Sequence, residues 1–543
     1  LLPNFMYHGN NPQYKPVVIE QTAEAATENT SITWEAVGTG WEYDSLWVGM
    51  TWVDVVFPMF LFAMGAAIPL ACTARLRKSS RWRQARLALS RFGMLVLFAV
   101  YVEPITPWAL DESPTDVTLW MSVLAFVVLI PLLTRLPRDT SALVRRIMRT
   151  TGVVGAITML CVIHSRESST GFEWSHHDII ILLLAWSSLV ATLLWLFTQG
   201  KPWLRWTLGF GLAFVAHEVN LPSELRLGQG LWNAVTPLAQ WPGQLLDFRW
   251  IPALRSSATP PTSYDLSSLY DFGFLGCLWL VLPGMMLGDR LVSMTSKNAS
   301  KKSEHPPTSS STSSHRPMAW ALPAVLCLTG MVVVVAGLQD VVTQWNLWGI
   351  QITNPYTALL GLIPTLLGWG LAIRIKPQSS IESLVQRVMG WGWISLALGV
   401  LLSVAPGFDS DLFEGGVRKV PGTLSWYFVC AGLTFQLWAL LAMAIDMGGW
   451  RRLFAPLIGT GQNPMLAYVA SRNLLWPLAS LPLIGWLTGG AGSFDEWLYH
   501  DHFAQWMGEG LSDWWVFAWE TLKIGVFAMA IWLLTRLNVV WRV

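Results

Sequence analysis

Apolar runs of about 20 residues recur from residue 52 to residue 535, and most charged residues fall between them. Their limits predict helices at about 52–73, 88–108, 117–135, 149–165, 179–198, 203–218, 268–290, 318–340, 355–374, 388–406, 423–446, 458–487 and 513–535. The first run ends in a basic cluster, Arg75, Arg77, Lys78, Arg81, Arg83 and Arg86, which marks the cytoplasmic side. Counting onward from it places the amino-terminal loop outside and the carboxyl end in the cytoplasm. Lys and Arg concentrate in the loops assigned to the inside, and Asp and Glu in the alternate ones. An error in the span count would swap every later loop and scramble that separation. The chain therefore reads as all-α, a polytopic transmembrane helical bundle of about 11–13 spans.

Four regions follow. Residues 1–46 form an outer amino-terminal loop, and 47–292 a first transmembrane bundle carrying an outer segment at 219–267. Residues 293–317, rich in Ser, Thr and Lys, predict a disordered cytoplasmic linker, and 318–543 a second bundle. Within the outer segment, the tryptophans and leucines of 231–248 suggest a helix lying on the outer surface. The two bundles show no convincing repeat.

Composition agrees. Hydrophobic residues make up 53% and charged residues 13%, against about 25% charged in soluble domains. The 34 tryptophans suit a protein with many water–lipid boundaries. A net charge of +1 conceals the charge separation across the membrane and gives no basis for nucleic-acid binding. The five cysteines lie in or beside apolar runs without metal-type spacing, so neither a disulfide framework nor a zinc site is expected. The chain starts Leu1-Leu2-Pro3, like the middle of a longer polypeptide, and an upstream helix is expected.

Few residues break the apolar pattern in a way that suggests chemistry. Asp54 stands about one turn below the outer surface, where a carboxylate needs a partner. Arg472 falls near the centre of 458–487, and its candidate partners are Asp54 or a water-filled cavity. Glu520 and Lys523, three apart on one helix, are spaced to pair with each other. Gly461-Gln462-Asn463-Pro464-Met465 predicts irregular backbone lining a cavity near the inner face. Gly415-Gly416-Val417-Arg418-Lys419-Val420-Pro421 suits either an anion-holding loop or a tight turn. His8, in an outer Met-Tyr-His-Gly stretch, has a side chain suited to proton transfer at neutral pH, although a lone loop histidine is more often solvated. His176-His177-Asp178 and His500-Asp501-His502 could contribute metal ligands, but adjacent residues rarely converge on one ion, and no metal site is assigned.

Met6-Tyr7-His8, Thr51 through Leu70, Gly415 through Asp446 and Gly459 through Tyr468 resemble bacterial membrane proteins related to heparan-α-glucosaminide N-acetyltransferase. The longest match is Thr51-Trp52-Val53-Asp54-Val55-Val56-Phe57-Pro58, and Thr423-Leu424-Ser425-Trp426 follows the Gly-Gly loop as the family pattern has it. The resemblance implies a multi-pass acyltransferase of the bacterial inner membrane. It would take an acetyl or acyl group from cytoplasmic acetyl-CoA and deliver it to an amino sugar or envelope glycan outside. By the same resemblance His8 and Asp54 are the catalytic pair, and Asn463 lies near the acyl-donor groove. Arg472 is added as a second donor-binding candidate.

Two other readings stay open. About 40 residues separate His8 from Trp47, and Val420 stands where the family often has an acidic residue, as in a non-catalytic subunit packed into a larger membrane complex. A discontinuous helix at Gly461–Pro464 beside Arg472 suits a glycan or lipid transporter. Membrane lipids are partners in all three. The transferase reading requires His8 to fold over the first span, beside Asp54, at the head of a passage from the cytoplasm.

Overall fold

The computed structural model describes residues 14–17, 40–43, 49–50, 52–111, 114–134, 140–162, 174, 176–220, 266–304, 317–338, 345–347, 350–352, 354–404, 416–419, 422–481, 512–537 and 539–541. Its main elements are helices: α1 (Trp52–Leu76), α2 (Arg81–Val102), α3 (Asp116–Leu133), α4 (Ala142–Val162), α5 (Ile179–Phe197), α6 (Pro202–Asn220) and α7 (Leu278–Glu304). They continue as α8 (Pro317–Gly337), α9 (Asn354–Arg374), α10 (Ser380–Val404), α11 (Leu424–Ala442), the short α12 (Ala455–Gln462), α13 (Pro464–Ala470) and α14 (Trp476–Ser480), and α15 (Ser512–Arg536). Among the described residues nine helices are long and apolar enough to cross a membrane. The chain is a multi-pass, all-α membrane protein. The other expected spans correspond to α4, α6, the broken series α12–α14, and α15. Two small antiparallel hairpins pair Tyr14–Val17 with Gly40–Tyr43 and Trp345–Leu347 with Ile350–Ile352.

On the cytoplasmic side, several helices run past the apolar stretches that predict them. α2 begins at Arg81, α4 at Ala142 and α10 at Ser380, each seven or eight residues before the expected start. Backbone hydrogen bonding continues beyond the hydrocarbon edge, and Arg, Lys, Gln and Glu are good helix formers. Ser80 adds a cap to α2, its hydroxyl accepting the Arg83 N–H at 3.3 Å. For the same reason α7 extends to Glu304, into the stretch expected as a linker; residues 305–316 and the expected surface helix at 231–248 lie outside the described residues. At its outer end α2 stops earlier than expected, at Val102, where Pro104 follows with no backbone N–H to continue the hydrogen-bond ladder.

Three helix pairs approach almost backbone to backbone. A Cβ at Gly65 of α1 would sit 2.1 Å from the Val281 carbonyl oxygen of α7. Cβ atoms at Gly284 and Gly288 would sit 2.0 and 2.3 Å from the carbonyl oxygens of Phe62 and Ala66. Gly330 and Gly361 bring α8 against α9, and Gly399 and Gly432 bring α10 against α11. Lipid tails are as apolar as leucine, so such helices associate through close van der Waals contact rather than water exclusion. Phe62 then meets Phe435 edge to face, with ring centroids 4.7 Å apart, joining α1 to α11. At the inner face buried Arg205 pairs with Asp289, which also accepts the Trp195 indole N–H at 3.0 Å, locking α5, α6 and α7 together.

Gly284→Val is expected to lower stability by roughly 3 kcal/mol, since backbone must move to admit the side chain. Gly211→Ala points into open space and is expected to leave the melting temperature unchanged or slightly higher. Thermal unfolding of the detergent-purified protein checks the contrast; equal melting temperatures would refute the tight α1–α7 contact.

Candidate functional site

Asp54 occupies the first turn of α1 and is 1% exposed. Lys419 reaches it with an Nζ to Oδ1 distance of 3.2 Å. A tight turn delivers that lysine. Gly416 adopts φ +98, a conformation that favours glycine. The Arg418 N–H donates to the Thr423 hydroxyl at 3.0 Å, the Thr423 N–H returns a bond to the Arg418 carbonyl at 3.0 Å, and the Ser425 hydroxyl donates to the Gly416 carbonyl at 2.8 Å. Thr423 also caps α11 by accepting the Trp426 N–H. Just before α1, the Gly49 N–H donates to the Val417 carbonyl at 2.7 Å, which ties the two segments together. The basic loop is therefore a tight turn, and the anion its lysine meets is Asp54.

A second buried group lies alongside. His217 and Glu218, near the outer end of α6, are 2% and 1% exposed. The His217 ring stands edge-on to Tyr427, with centroids 6.0 Å apart. The Tyr427 hydroxyl in turn lies against Gly276 and against Gly422 of the lysine-bearing turn. Asp54, Lys419, Tyr427 and His217 thus form one neighbourhood at the outer ends of α1, α6 and α11.

Arg472 does not pair with Asp54. Its guanidinium donates to the Asp178 carboxylate at 2.8 Å, to the Tyr468 hydroxyl at 3.1 Å and to the Glu103 carboxylate at 2.9 Å. Tyr468 donates to Asp178 at 2.8 Å, and Asp178 also caps α5 by accepting the Ile181 N–H. Glu103 follows α2 and Asp178 precedes α5, so Arg472 lies near the outer ends of both. Its expected central depth is corrected by where the span begins. Helix restarts at Ala455, and 17 residues at about 1.5 Å each bring Arg472 close to the far boundary. It sits in a π-helical turn, Ser471–Leu475, a widening common at functional sites. The next residue, Asn473, is fully buried and donates to the Ile105 carbonyl at 3.1 Å.

The inner half holds a cavity of about 410 Å³ between α1, α2, α5 and the α12–α13 break. Phe60, Ala63, Met64, Ala67 and Ala71 of α1 form an apolar wall, and Arg75, Gln84 and Arg91 supply polar groups. Gly461, Pro464 and Met465 complete it, so the Gly-x-Asn-Pro interruption lines a cavity as its composition predicts. Asn463 itself is turned to another task. Its amide donates to the Val539 carbonyl at 2.8 Å, and its carbonyl accepts the Trp541 N–H at 3.1 Å. Both polar ends of the side chain hold the carboxyl-terminal segment, while Gly461 and Pro464 on either side of it line the cavity. Arg472 does not line this cavity; its guanidinium is engaged by Asp178, Tyr468 and Glu103. The cavity ends at Phe60, six residues and about 9 Å along the helix from Asp54.

His8 and His500-Asp501-His502 lie outside the described residues, as does the side chain of Glu520. Among the described residues no three His, Cys, Asp or Glu side chains gather as a metal site. Sequence reasoning singled out Asp54, Arg472 and the break. It missed Glu103, Tyr468, His217 and Asn473, and it named Asp178 and Lys419 only within the His176–Asp178 and Gly415–Pro421 motifs, not as ion-pair partners. Only Asn473 carried a local signal, as part of the polar triplet Ser471-Arg472-Asn473 inside an apolar span.

Arg472→Gln is expected to cost roughly 3 kcal/mol, the low end for a broken buried pair because Arg472 and Glu103 keep some solvent contact. Adding Asp178→Asn and Glu103→Gln to it is expected to recover part of that loss, since no carboxylate is then left unanswered. Chemical denaturation of the single and triple variants measures both, and a triple variant weaker than the single would contradict the pairing.

The family described as Domain of unknown function (DUF5009) matches residues 37–231, just over a third of the chain, from before α1 to beyond α6 and including Asp54. No curated protein and no solved structure matches the chain. Residues 37–231 thus carry a DUF5009 domain.

Proposed function

We propose that this chain is a multi-pass acyltransferase of the bacterial plasma membrane, passing an acyl group from cytoplasmic acetyl-CoA or another acyl-CoA to an amino sugar or envelope glycan outside. The observation that carries the proposal is the inner cavity. Its arginines suit the phosphates of a CoA, and its alanine-lined wall suits the pantetheine arm and acyl group. That wall belongs to α1, the helix that holds Asp54 at its outer end. The resemblance of Met6-Tyr7-His8 and Thr51 through Leu70 to the heparan-α-glucosaminide N-acetyltransferase relatives adds the chemistry. His8 acts as base or acyl relay: the acceptor nitrogen attacks the thioester carbonyl, His8 takes the amine proton, and CoA leaves as thiolate. Asp54, held by Lys419, stabilises the imidazolium. Asn463 contributes by fixing the cavity wall, and Arg472 by ordering the outer ends of α2 and α5.

The α12–α13 break beside the cavity also suits a transporter, which predicts glycan flux without consumption of acyl-CoA. Proteoliposomes supplied with labelled acetyl-CoA and glucosamine separate the two readings. Label is expected in the acceptor, with His8→Ala abolishing it. Ala67→Trp, filling the cavity, is expected to weaken CoA binding at least tenfold, and Arg75→Gln by about tenfold, the loss of one charge-assisted hydrogen bond. Absence of both CoA binding and transfer by the intact protein would end the transferase proposal.

A further inference from the structure

Across the Asn463 break from the inner cavity, α12 and the cytoplasmic end of α15 enclose a second pocket of about 210 Å³. Arg451 and Arg536 reach it from elements far apart in sequence. Arg451 belongs to the single turn Trp450–Arg452 that leads into α12, and Arg536 closes α15. The Arg536 guanidinium stands over the Trp532 ring, 4.9 Å from its centroid, which holds it at the pocket. Gln462 adds an amide donor. Thr535 lines the pocket too, but its hydroxyl already donates to the Ile531 carbonyl at 2.8 Å. Among the described residues neither arginine lies within ion-pair distance of a carboxylate. Two forked, permanently charged donors and an amide converging on one small hollow suit a phosphate.

The surroundings choose between sources of that phosphate. Trp450, Leu453, Leu457 and Leu537 are 58%, 71%, 59% and 73% exposed, at the cytoplasmic ends of the same elements. A soluble anion site has no use for such a collar. At the headgroup boundary these side chains meet acyl chains, and a tryptophan there acts as an interfacial anchor. The cytoplasmic leaflet also carries the acidic lipids that basic side chains attract.

We propose that this pocket binds the phosphodiester of an anionic phospholipid of the cytoplasmic leaflet, with Arg451 and Arg536 on the phosphate and the Trp450–Leu457 collar against its acyl chains. The assignment does not depend on acyl transfer, because none of the pocket's residues lines the inner cavity.

Native mass spectrometry of the purified full-length chain, titrated with dioleoylphosphatidylglycerol or dioleoylphosphatidylcholine, tests it. The anionic lipid is expected to be retained and the zwitterionic one lost. Arg451→Gln and Arg536→Gln are each expected to weaken retention about fivefold, the equivalent of about 1 kcal/mol per basic residue at the headgroup. Arg452→Gln, on the same turn but off the pocket, is expected to leave it unchanged. Millimolar inorganic phosphate is expected not to displace the lipid; displacement would make this a soluble-anion site and overturn the lipid assignment. Undiminished retention by the double variant, at an unchanged melting temperature, would overturn the pocket itself.

Discussion

The contact on which the arrangement turns is that of α1 with α7, where Gly65, Gly284 and Gly288 let carbonyl groups of one helix lie where a Cβ of the other would be. No side chain intervenes, so the axial position of α1 is set to within a fraction of a residue. In lipid that closeness is the source of the attraction, because there is no water to expel. With one face of α1 committed to α7, its other face, from Phe60 to Arg75, becomes a wall of the inner cavity. Its first turn is left to present Asp54 to the turn that carries Lys419. One helix thus connects an outer carboxylate to an inner cavity.

Two of the charges within the bundle follow a common logic, each answered by a partner from a distant part of the chain: Asp54 by Lys419, and Arg472 by Glu103 and Asp178. Such pairs add little net stability, because desolvation offsets most of their attraction. A broken one is costly, however, so they specify which helix ends meet. Here they fasten the outer ends of α1, α2 and α5 to elements from the last third of the sequence. At the bulged turn Ser471–Leu475, Arg472 reaches two carboxylates at once.

The break at Asn463 organises the inner face in a similar way. Its amide and carbonyl engage residues 539 to 541, which brings the end of the chain beneath α13. Trp541 then packs near Phe126 of α3, with ring centroids 5.4 Å apart. The interruption leaves cavities on both sides, a larger apolar one toward α1 and a smaller basic one toward α15. A continuous helix would have presented a closed surface to each.

Hydropathy in the sequence was enough to settle class and the approximate placing of the spans, because the bilayer acts on each segment alone: an apolar run of sufficient length must cross. The same local rule made Asp54, Arg472 and the Gly461–Met465 interruption visible as exceptions. Their partners were not visible. Lys419 looked like half of an anion loop until the turn at Gly416 aimed it at Asp54, Glu103 drew no notice near the end of the 88–108 run, and Asp178 was noticed only beside His176 and His177. Helix ends escaped as well, since hydrogen-bonded backbone continues past the apolar stretch wherever good helix formers follow, as from Arg81 and through Glu304. Which side chains share a site depends on which helices touch, and for α1 that was decided by glycine contacts with α7 joining residues more than 200 positions apart. Spacing along one helix records that a glycine stripe exists; only packing in three dimensions selects the surface it meets.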